Sequence, residues 1–396
     1  MLDKLSEMQS YLFQDAPTSE ILGRGSPIAP SRTVLSQYVI NELPRDIKEW
    51  NDDILSIEEL AKRQVVVLEA EQKRLRTLKN NEEAAVAHLD MLMLLGAYLP
   101  TKEVAYQVAP PLLLELLTYL SARHHLPYRL TYELIVDVNV TAFLRSGGDI
   151  RTFSNGKTGR VERDFYVGHY LAEQHIRRSY ELLRTILDHP AMTDKHTKLK
   201  STLKALEQFT SYMTAFERLP PDSYAYFRRF LVPYPDNVRN ASGAFMPTPQ
   251  LFEMLLHTPG FTQTEYLRHN LQYFSRWAQE DLQAHIEAKA QPVTLQSLLD
   301  SGTLPLETDE RKLVDAIIEQ FVQFKLTHIK VASSKIPEAF PKPPILGREN
   351  LRAFQPQLDA KRNGTGTQQG TGGFTPQDFL ADGVGRLLNL QIQLRQ

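Results

Sequence analysis

The sequence predicts an all-α protein in which a smaller N-terminal helical portion precedes a large helical domain. Three observations support this prediction. Apolar residues recur at steps of three and four along most of the chain, which is the period of an α-helix. Prolines such as Pro100 and Pro127 follow several of these segments, where a helix has to stop. The 396 residues are 42% hydrophobic, which suffices for a large core.

The predicted helices follow one another from residue 49 to the C-terminal end. Residues 49–80 are rich in strong helix formers, and the helix at 111–123 has proline at its start. Residues 132–144 are β-branched and resemble a strand, but their length and flanks favour a buried helix. The predicted spans are 49–80, 82–99, 111–123, 132–144, 161–187, 196–219, 263–290, 309–333 and 376–394.

Polar segments rich in glycine or proline separate these helices. They are residues 147–158, 233–249 and 337–373, and the last is long enough to suggest a functional or mobile loop. Neither an internal repeat nor a Gly/Ser linker divides the chain. We therefore predict an N-terminal helical portion at 1–125 and one helical catalytic domain at 126–396.

Charge and cysteine content exclude several classes of function. Lys plus Arg total 45 and Asp plus Glu total 47, so the net charge of −2 gives no electrostatic case for nucleic acid or an anionic membrane. The absence of cysteine excludes disulfides, cysteine nucleophiles, Fe–S clusters, thiolate-ligated haem and thiolate zinc sites. Nitrogen or oxygen must hold any metal, and the chain offers 11 histidines.

The sequence also predicts neither a signal peptide nor a membrane span. Residues 1–10 mix charged with apolar side chains and lack the apolar stretch of a signal peptide. The longest candidate for a membrane span, residues 91–99, is far shorter than the ~20 residues required. The expectation is a soluble, cytoplasmic protein without a membrane partner.

The first candidate site residue is His169. Phe165, His169 and Glu173 share one face of the predicted helix 161–187 with Ile176 and Tyr180. A histidine in such an apolar stripe is most simply a core histidine bonded to a carbonyl or to Glu173. Alternatively, His169 and Glu173 form a metal-binding pair, because side chains four residues apart on a helix can share an ion.

The second candidate is His328 on the predicted helix 309–333. It continues an apolar row that includes Ile317, Phe321 and Phe324. An imidazole there suits axial ligation of haem, with the porphyrin buried against the apolar neighbours and the second ring nitrogen bonded to an acceptor. A core histidine is again the alternative.

The third candidate is the arginine pair Arg228 and Arg229 in the aromatic segment 226–231. Burying two guanidinium groups without an anion is costly, and a substrate carboxylate held bidentately is one such anion. The alternative is a surface helix on which one arginine pairs with Asp222 or Glu217. Ser242 and Gly243 follow shortly afterwards.

The fourth candidate is the run Gly-Thr-Gly-Gly-Phe at 370–374, which contains Thr371 and Gly372. Consecutive glycines let backbone N–H groups approach a ligand closely, and the Thr371 hydroxyl adds a donor and an acceptor. A flexible solvent loop is the alternative.

The order of these four motifs resembles the haem-dependent dioxygenase superfamily of tryptophan 2,3-dioxygenase and indoleamine 2,3-dioxygenase. Its relatives include the ring-rearranging enzyme of pyrrolnitrin synthesis and indole monooxygenases of natural-product pathways. The similarity covers residues 161–379, a little over half the chain. The longer N-terminal portion looks more like the indoleamine and pyrrolnitrin branches, and residues 23–31 would be a loop of that portion near the substrate.

The resemblance implies a role for each motif. His328 would be the proximal ligand of the haem iron, and Gly372 would contact the cofactor. His169 would be the distal histidine that accepts the indole N–H, and Phe165 would line the indole pocket. Arg228 matches the arginine that holds the amino-acid carboxylate, with Arg229 as its alternate. Ser242 and Gly243 would form a loop over the haem edge, and Thr371 would bind the substrate ammonium or carboxylate.

The implied activity is that of a haem b enzyme that uses O2 to oxidise the indole ring of L-tryptophan or a modified tryptophan. Ring cleavage, monooxygenation and ring rearrangement stay open, as does homo-oligomerisation. A non-catalytic helical protein that binds haem or indole is the first alternative function. A non-haem metal enzyme that uses His169 and Glu173 is the second.

Overall fold

The structure is a computed structural model that describes residues 33–146, 149–231, 241, 245–258, 261–274, 276–287, 293–338 and 376–395. All regular elements within these ranges are helical, which confirms the all-α prediction. The α-helices are α1 Val34–Gln37, α2 Leu43–Asn51, α3 Ile57–Thr77, α4 Asn81–Gly96, α5 Ala105–Val108, α6 Pro111–His124, α7 Asn139–Ser146, α8 Gly156–Asp188, α9 Lys195–Ala215, α10 Pro221–Arg228, α11 Pro247–Leu256, α12 Phe261–Asn270, α13 Arg276–Glu287, α14 Leu295–Asp300, α15 Thr308–Glu338 and α16 Pro376–Arg395.

Short turns of other helical types join several of these elements. The π-helical turn Glu133–Val138 leads into α7, so the helical interpretation of residues 132–144 is confirmed. The predicted helix 49–80 is instead two helices, because the backbone of Asp53 turns left-handed and Ser56 starts α3 with a capping box to Glu59. The predicted helix 263–290 is also divided, by the 3-10 turn Leu271–Tyr273.

The chain forms two compact units. Unit 1 comprises Met1–Val167, Leu219–Ser242 and Lys335–Thr371, and unit 2 comprises Gly168–Arg218, Gly243–Ser334 and Gly372–Gln396. Each unit is assembled from separate segments of the sequence. This spatial grouping does not test the predicted division into 1–125 and 126–396, which stays a prediction.

Helix α4 is the most buried element of unit 1. Asn80 caps its first turn, and its side chains from Val86 to Gly96 are buried on all sides. Asn81–Thr101 has the length and hydropathy of a membrane span, but 89% of it is buried inside the protein. Such burial is equally typical of a core helix.

A buried polar network joins distant parts of unit 1. The guanidinium of Arg151 pairs with the carboxylate of Asp90, which also accepts a 2.5 Å hydrogen bond from Ser36. Asn139 exchanges two 3.0 Å hydrogen bonds with the backbone of Arg151. Because every group in this network has a partner, the buried charges are compensated.

Aromatic contacts and an ion pair join helices of unit 2. Phe209 of α9 packs on Phe324 of α15 with ring centroids 4.6 Å apart. Phe252 of α11 packs on Phe321 of α15 at 5.1 Å. The last helix, α16, is anchored on α15 because Arg395 donates to Asp315 at 2.9 Å. Helix α15 thus contacts α9, α11 and α16.

Candidate functional site

His328 is a predicted site residue with a buried ring nitrogen that lacks a hydrogen-bond partner in the described ranges. Its row on α15 is buried as predicted, with Phe321 and Phe324 almost fully inaccessible. Phe324 contacts the His328 ring at a centroid distance of 5.8 Å. The imidazole is half-buried, but its Nδ1 is inaccessible and has no hydrogen-bond partner within the described part of the chain.

The imidazole of His328 is neutral near pH 7. Burial, with the positive charge of Lys325 as a second cause, lowers the pKa of His328 to about 4. A neutral imidazole has a lone pair free for a metal, and a core histidine with an unpartnered nitrogen is costly. The described part of the chain supplies no acceptor for Nδ1, contrary to the expectation for a haem ligand.

A charged cluster lies one helical turn before His328. The Nζ of Lys325 donates to Oε1 of Glu253 at 2.5 Å, and both side chains are about 2% exposed. His257 Nε2 lies 3.4 Å from the same carboxylate oxygen, and its Nδ1 lies 3.0 Å from the carbonyl oxygen of Thr258. Burial raises the pKa of Glu253, but Lys325 and His257 together lower it to about 2.

Sequence reasoning missed this cluster. The available signal was a lysine in an otherwise apolar and aromatic row, three residues before His328, and a lone glutamate in the apolar helix α11. The pairing of Lys325 with Glu253 could not be predicted from the sequence, because 72 residues separate the two side chains.

His169 lies in the core of unit 2, where it is 5% exposed. Its ring stacks on Phe216 with centroids 4.4 Å apart and planes at 24°. This stack is compatible with the packed-histidine alternative and equally with a ring held in one orientation for a ligand.

Glu173, one turn after His169, is fully buried. Thr248 donates to its Oε1, while its Oε2 has no partner among the residues that the structure describes. Burial raises the pKa of Glu173 to about 7, although Arg177 and Thr248 oppose the shift. The carboxyl is therefore partly protonated near neutral pH.

The His169–Glu173 metal pair gains no further ligands. The described ranges contain no cluster of three or more His, Cys, Asp or Glu side chains suited to hold an ion. The second alternative function, a non-haem metal site, thus has no supporting geometry within those ranges.

Phe165 and the two arginines belong to unit 1. The Phe165 ring contacts Phe227 at 5.3 Å and Tyr224 at 5.7 Å, so it belongs to an aromatic cluster, and its role as a pocket lining stays a prediction. Arg228 ends α10, is half-buried, and lies close enough to Tyr166 to lower the pKa of that phenol against the dominant effect of burial.

Arg229 has a different environment. Its guanidinium carbon lies 4.1 Å from the ring centroid of Tyr226 and 4.8 Å from that of Phe230. Its Nε and Nη2 are inaccessible and have no hydrogen-bond partner in the described ranges. The alternative in which an arginine pairs with Glu217 is not supported for Arg229, and Glu217 pairs instead with Lys330 at 3.2 Å.

Four of the predicted site residues lie outside the described residues. They are Ser242, Gly243, Thr371 and Gly372, and the predicted loop 23–31 also lies outside. Their roles stay predictions.

A cleft of about 890 Å³ opens in unit 2 between the start of α9, the turn before α15 and the end of α16. Lys195 lines it, but its ammonium is buried and bonded to the carbonyl of Pro305 and paired with Glu310 at 3.5 Å. None of the predicted site residues within the described ranges lines this cleft.

The chemistry of His328 and its neighbours would fit a haem. His328 would offer a neutral imidazole to the iron, and Phe321 and Phe324 would supply apolar surface beside it. No protein-family model and no curated protein sequence matches this chain.

Proposed function

We propose that this chain is a haem-dependent oxygenase that acts on the indole ring of L-tryptophan or a modified tryptophan, with O2 as co-substrate. The observation that carries the proposal is the environment of His328. The imidazole that the superfamily resemblance assigns to the iron is neutral, because burial lowers its pKa to about 4, and its ring lies 5.8 Å from that of Phe324. Such an enzyme would act in tryptophan degradation or in natural-product biosynthesis.

When bound, the haem would supply the binding and activation of O2. The chain's own residues would hold the haem iron and keep its imidazole ligand neutral. Burial, with the charge of Lys325 as a second cause, lowers the pKa of His328 to about 4, so the ring would stay neutral for the iron. The ion pair with Glu253 holds Lys325 in place without a competing anion at the imidazole.

The resemblance assigns a substrate contact to each of several residues. His169 accepts the indole N–H, and the stack on Phe216 restricts its ring to one orientation. Phe165 offers an aromatic surface for the indole. Arg228 pairs with the amino-acid carboxylate, and Arg229 is its alternate.

The test of the haem assignment is reconstitution. We expect the purified protein to gain a Soret band with hemin, and His328→Ala to lose it while the helical circular dichroism is kept. His189→Ala, which removes an exposed histidine of unit 2, is the matched control and should bind haem normally. A normal haem content in His328→Ala would refute the axial assignment.

The test of the activity is mass spectrometry of the product formed from L-tryptophan with labelled O2 and a reductant. Incorporation of one or two labelled atoms supports an oxygenase and separates monooxygenation from dioxygenation. A protein that binds haem but forms no product from any indole supports the alternative, a non-catalytic haem or indole sensor.

A further inference from the structure

The cleft of about 890 Å³ in unit 2 is large enough for a small organic molecule, since ligand sites usually enclose roughly 300–1,000 Å³. Buried Leu304 and Leu394 and half-buried Met192 give its wall apolar surface. Charged side chains line the same cleft, namely Lys195, Asp300, Glu307, Glu310 and Arg311. The cleft therefore offers contacts to a carbon chain and to charged groups, and the balance of its charges indicates the kind of ligand.

Hydrogen bonds hold the walls of the cleft in place. Gly302 has a φ of +68°, and its N–H donates to the carbonyl of Leu299 at 3.0 Å, which closes the turn after α14. On α16, the amide of Gln391 donates to the carbonyl of Asp315 at 3.2 Å, beside the ion pair of Arg395 with the same residue. A ligand would thus enter a preformed site and order little of the chain.

Lys195 is a buried cation of this cleft whose donors are already used. Its Nζ donates to the carbonyl oxygens of Pro305 and Pro190 and lies 3.5 Å from Oε2 of Glu310. These three acceptors match the three N–H donors of an ammonium group. An anion in the cleft would therefore find no free donor on Lys195.

Glu310 has an oxygen left for a ligand. The residue is 7% exposed and lines the cleft. Its Oε2 accepts a 3.0 Å hydrogen bond from the backbone N–H of Glu307, whereas its Oε1 has no hydrogen-bond partner within the described ranges. A buried carboxylate oxygen without a partner is costly, and an N–H donor of a ligand would satisfy it.

The exposed charges of the cleft leave it negative. The side chains of Asp300, Glu307 and Arg311 form neither an ion pair nor a hydrogen bond with any residue that the structure describes. Because Lys195 and Glu310 neutralise each other, two negative charges and one positive charge remain, which leaves one negative charge. A cationic ligand is therefore favoured over an anionic one.

The N-terminal end of α15 does not reverse this preference. Its first turn carries the acidic side chains of Asp309 and Glu310, which compensate the positive end of the helix dipole. The backbone N–H of Glu307 is also occupied, because it donates to Glu310. The chain itself thus supplies the negative groups that this helix end attracts.

The carboxylates of the cleft do not form a metal site. No group of three His, Cys, Asp or Glu side chains within the described ranges is placed to hold one ion. Asp300, Glu307 and Glu310 therefore do not converge on a single point. Separate carboxylates beside apolar surface suit a ligand that carries its positive charges apart on a carbon chain.

We propose that this cleft binds a linear alkyl diamine, whose ammonium groups pair with the carboxylates while the carbon chain packs against the apolar wall. The site goes beyond the proposed function, because no described residue assigned to haem or to the indole substrate lines it. It requires neither haem nor tryptophan.

The experiment measures binding of 1,4-diaminobutane to the full-length protein by isothermal titration calorimetry at low ionic strength. Butylamine, with one ammonium group, and butane-1,4-diol, with none, are the comparison ligands. We expect the diamine to bind most tightly and the diol least. The double variant Asp300→Asn with Glu307→Gln should weaken diamine binding about tenfold, since each exposed ion pair contributes roughly two- to fivefold in affinity.

Arg311→Gln gives the opposite sign. It removes the positive charge that repels the ligand, so diamine binding should tighten by roughly two- to fivefold. Glu280→Gln is the matched control, because Glu280 is an exposed glutamate of unit 2 outside the cleft, and this variant should bind like the wild type. All four substitutions are at exposed positions, and circular dichroism verifies that the variants are folded.

Three results would overturn the proposal. One is equal affinity of the wild type for 1,4-diaminobutane and butane-1,4-diol, which includes binding of neither. Another is a double variant that binds the diamine as tightly as the wild type does. The third is weaker diamine binding in Arg311→Gln, which would mean that the guanidinium attracts the ligand.

Discussion

The ammonium of Lys325 lies 2.5 Å from the Oε1 of Glu253 in the core of unit 2, one helical turn before His328. The pair joins α15 to α11 and fixes a positive charge beside the imidazole that the proposal assigns to iron. It thereby connects the stability of the unit to the chemistry of the candidate site.

The first prediction concerns this ion pair. Lys325→Met leaves the Glu253 carboxylate buried with only His257 beside it, so we expect a loss of about 3–5 kcal/mol in the free energy of unfolding. The double variant Glu253→Met with Lys325→Met should be more stable than Lys325→Met, because no buried charge is left alone.

Urea unfolding followed by circular dichroism measures these differences. Lys330→Met is the matched control, because Lys330 pairs with Glu217 at the surface and should change stability by less than about 1 kcal/mol. Equal losses in Lys325→Met and Lys330→Met would show that the buried pair has no special role.

The second prediction concerns His169. His169→Phe keeps an aromatic ring against Phe216 but removes both ring nitrogens. We expect the variant to retain haem and stability while its rate with L-tryptophan falls or its product changes, because the indole N–H loses its acceptor. An unchanged rate and product would mean that His169 only packs against Phe216.

The third prediction concerns Arg228. Arg228→Ala should raise KM for L-tryptophan by roughly ten- to a hundredfold, the cost of losing a charge-assisted hydrogen bond. Indole and tryptamine, which lack the carboxylate, should be affected far less. Steady-state kinetics on the three compounds make the comparison, and an equal loss for all of them would move the role to Arg229 or remove it.

The fourth prediction concerns pH. Burial raises the pKa of Glu173 from its ordinary value of 4.5 to about 7, so the folded chain holds a proton that the unfolded chain has released. The free energy of unfolding therefore falls as pH rises from about 4.5 to 7, by up to roughly 3 kcal/mol from this group. Glu173→Gln should remove that decrease.

Denaturant titrations between pH 4 and 8 measure the free energy of unfolding of the wild type and of Glu173→Gln as a function of pH. Glu253 contributes a pH dependence of the free energy of unfolding with the opposite sign, because Lys325 and His257 lower its pKa to about 2. The stability from that group is lost as pH falls below about 4.5, and a Glu173→Gln profile parallel to that of the wild type would contradict the prediction.

The fifth prediction concerns Gly96 at the end of α4. A Cβ at this position would lie 2.7 Å from the Phe153 ring, which is fully buried and stacked on Phe230. We expect Gly96→Ala to destabilise the protein by about 1–3 kcal/mol through overpacking. Gly385→Ala on α16, where nothing lies within 4 Å of the added atom, is the control and should be neutral or stabilising.

The sequence by itself determined the helices and their buried faces. The rows that contain His169 and His328 follow from the helical period of 3.6 residues, which places them on one face of a helix, so the burial of Phe321 and Phe324 could be predicted. The helix breaks at Asp53 and at Leu271–Tyr273 were not predicted, because one left-handed residue or a 3-10 turn changes the helical spacing of apolar residues very little.

Only the tertiary structure decided which charges meet. Glu253 and Lys325 lie on different helices, and their pairing depends on how α11 packs on α15. The same holds for Arg228 and Arg229, which look equivalent in the sequence but face different neighbours because consecutive side chains diverge around a helix axis. Periodicity is a local property of the chain, whereas the partner of a buried charge is set by the packing of distant segments.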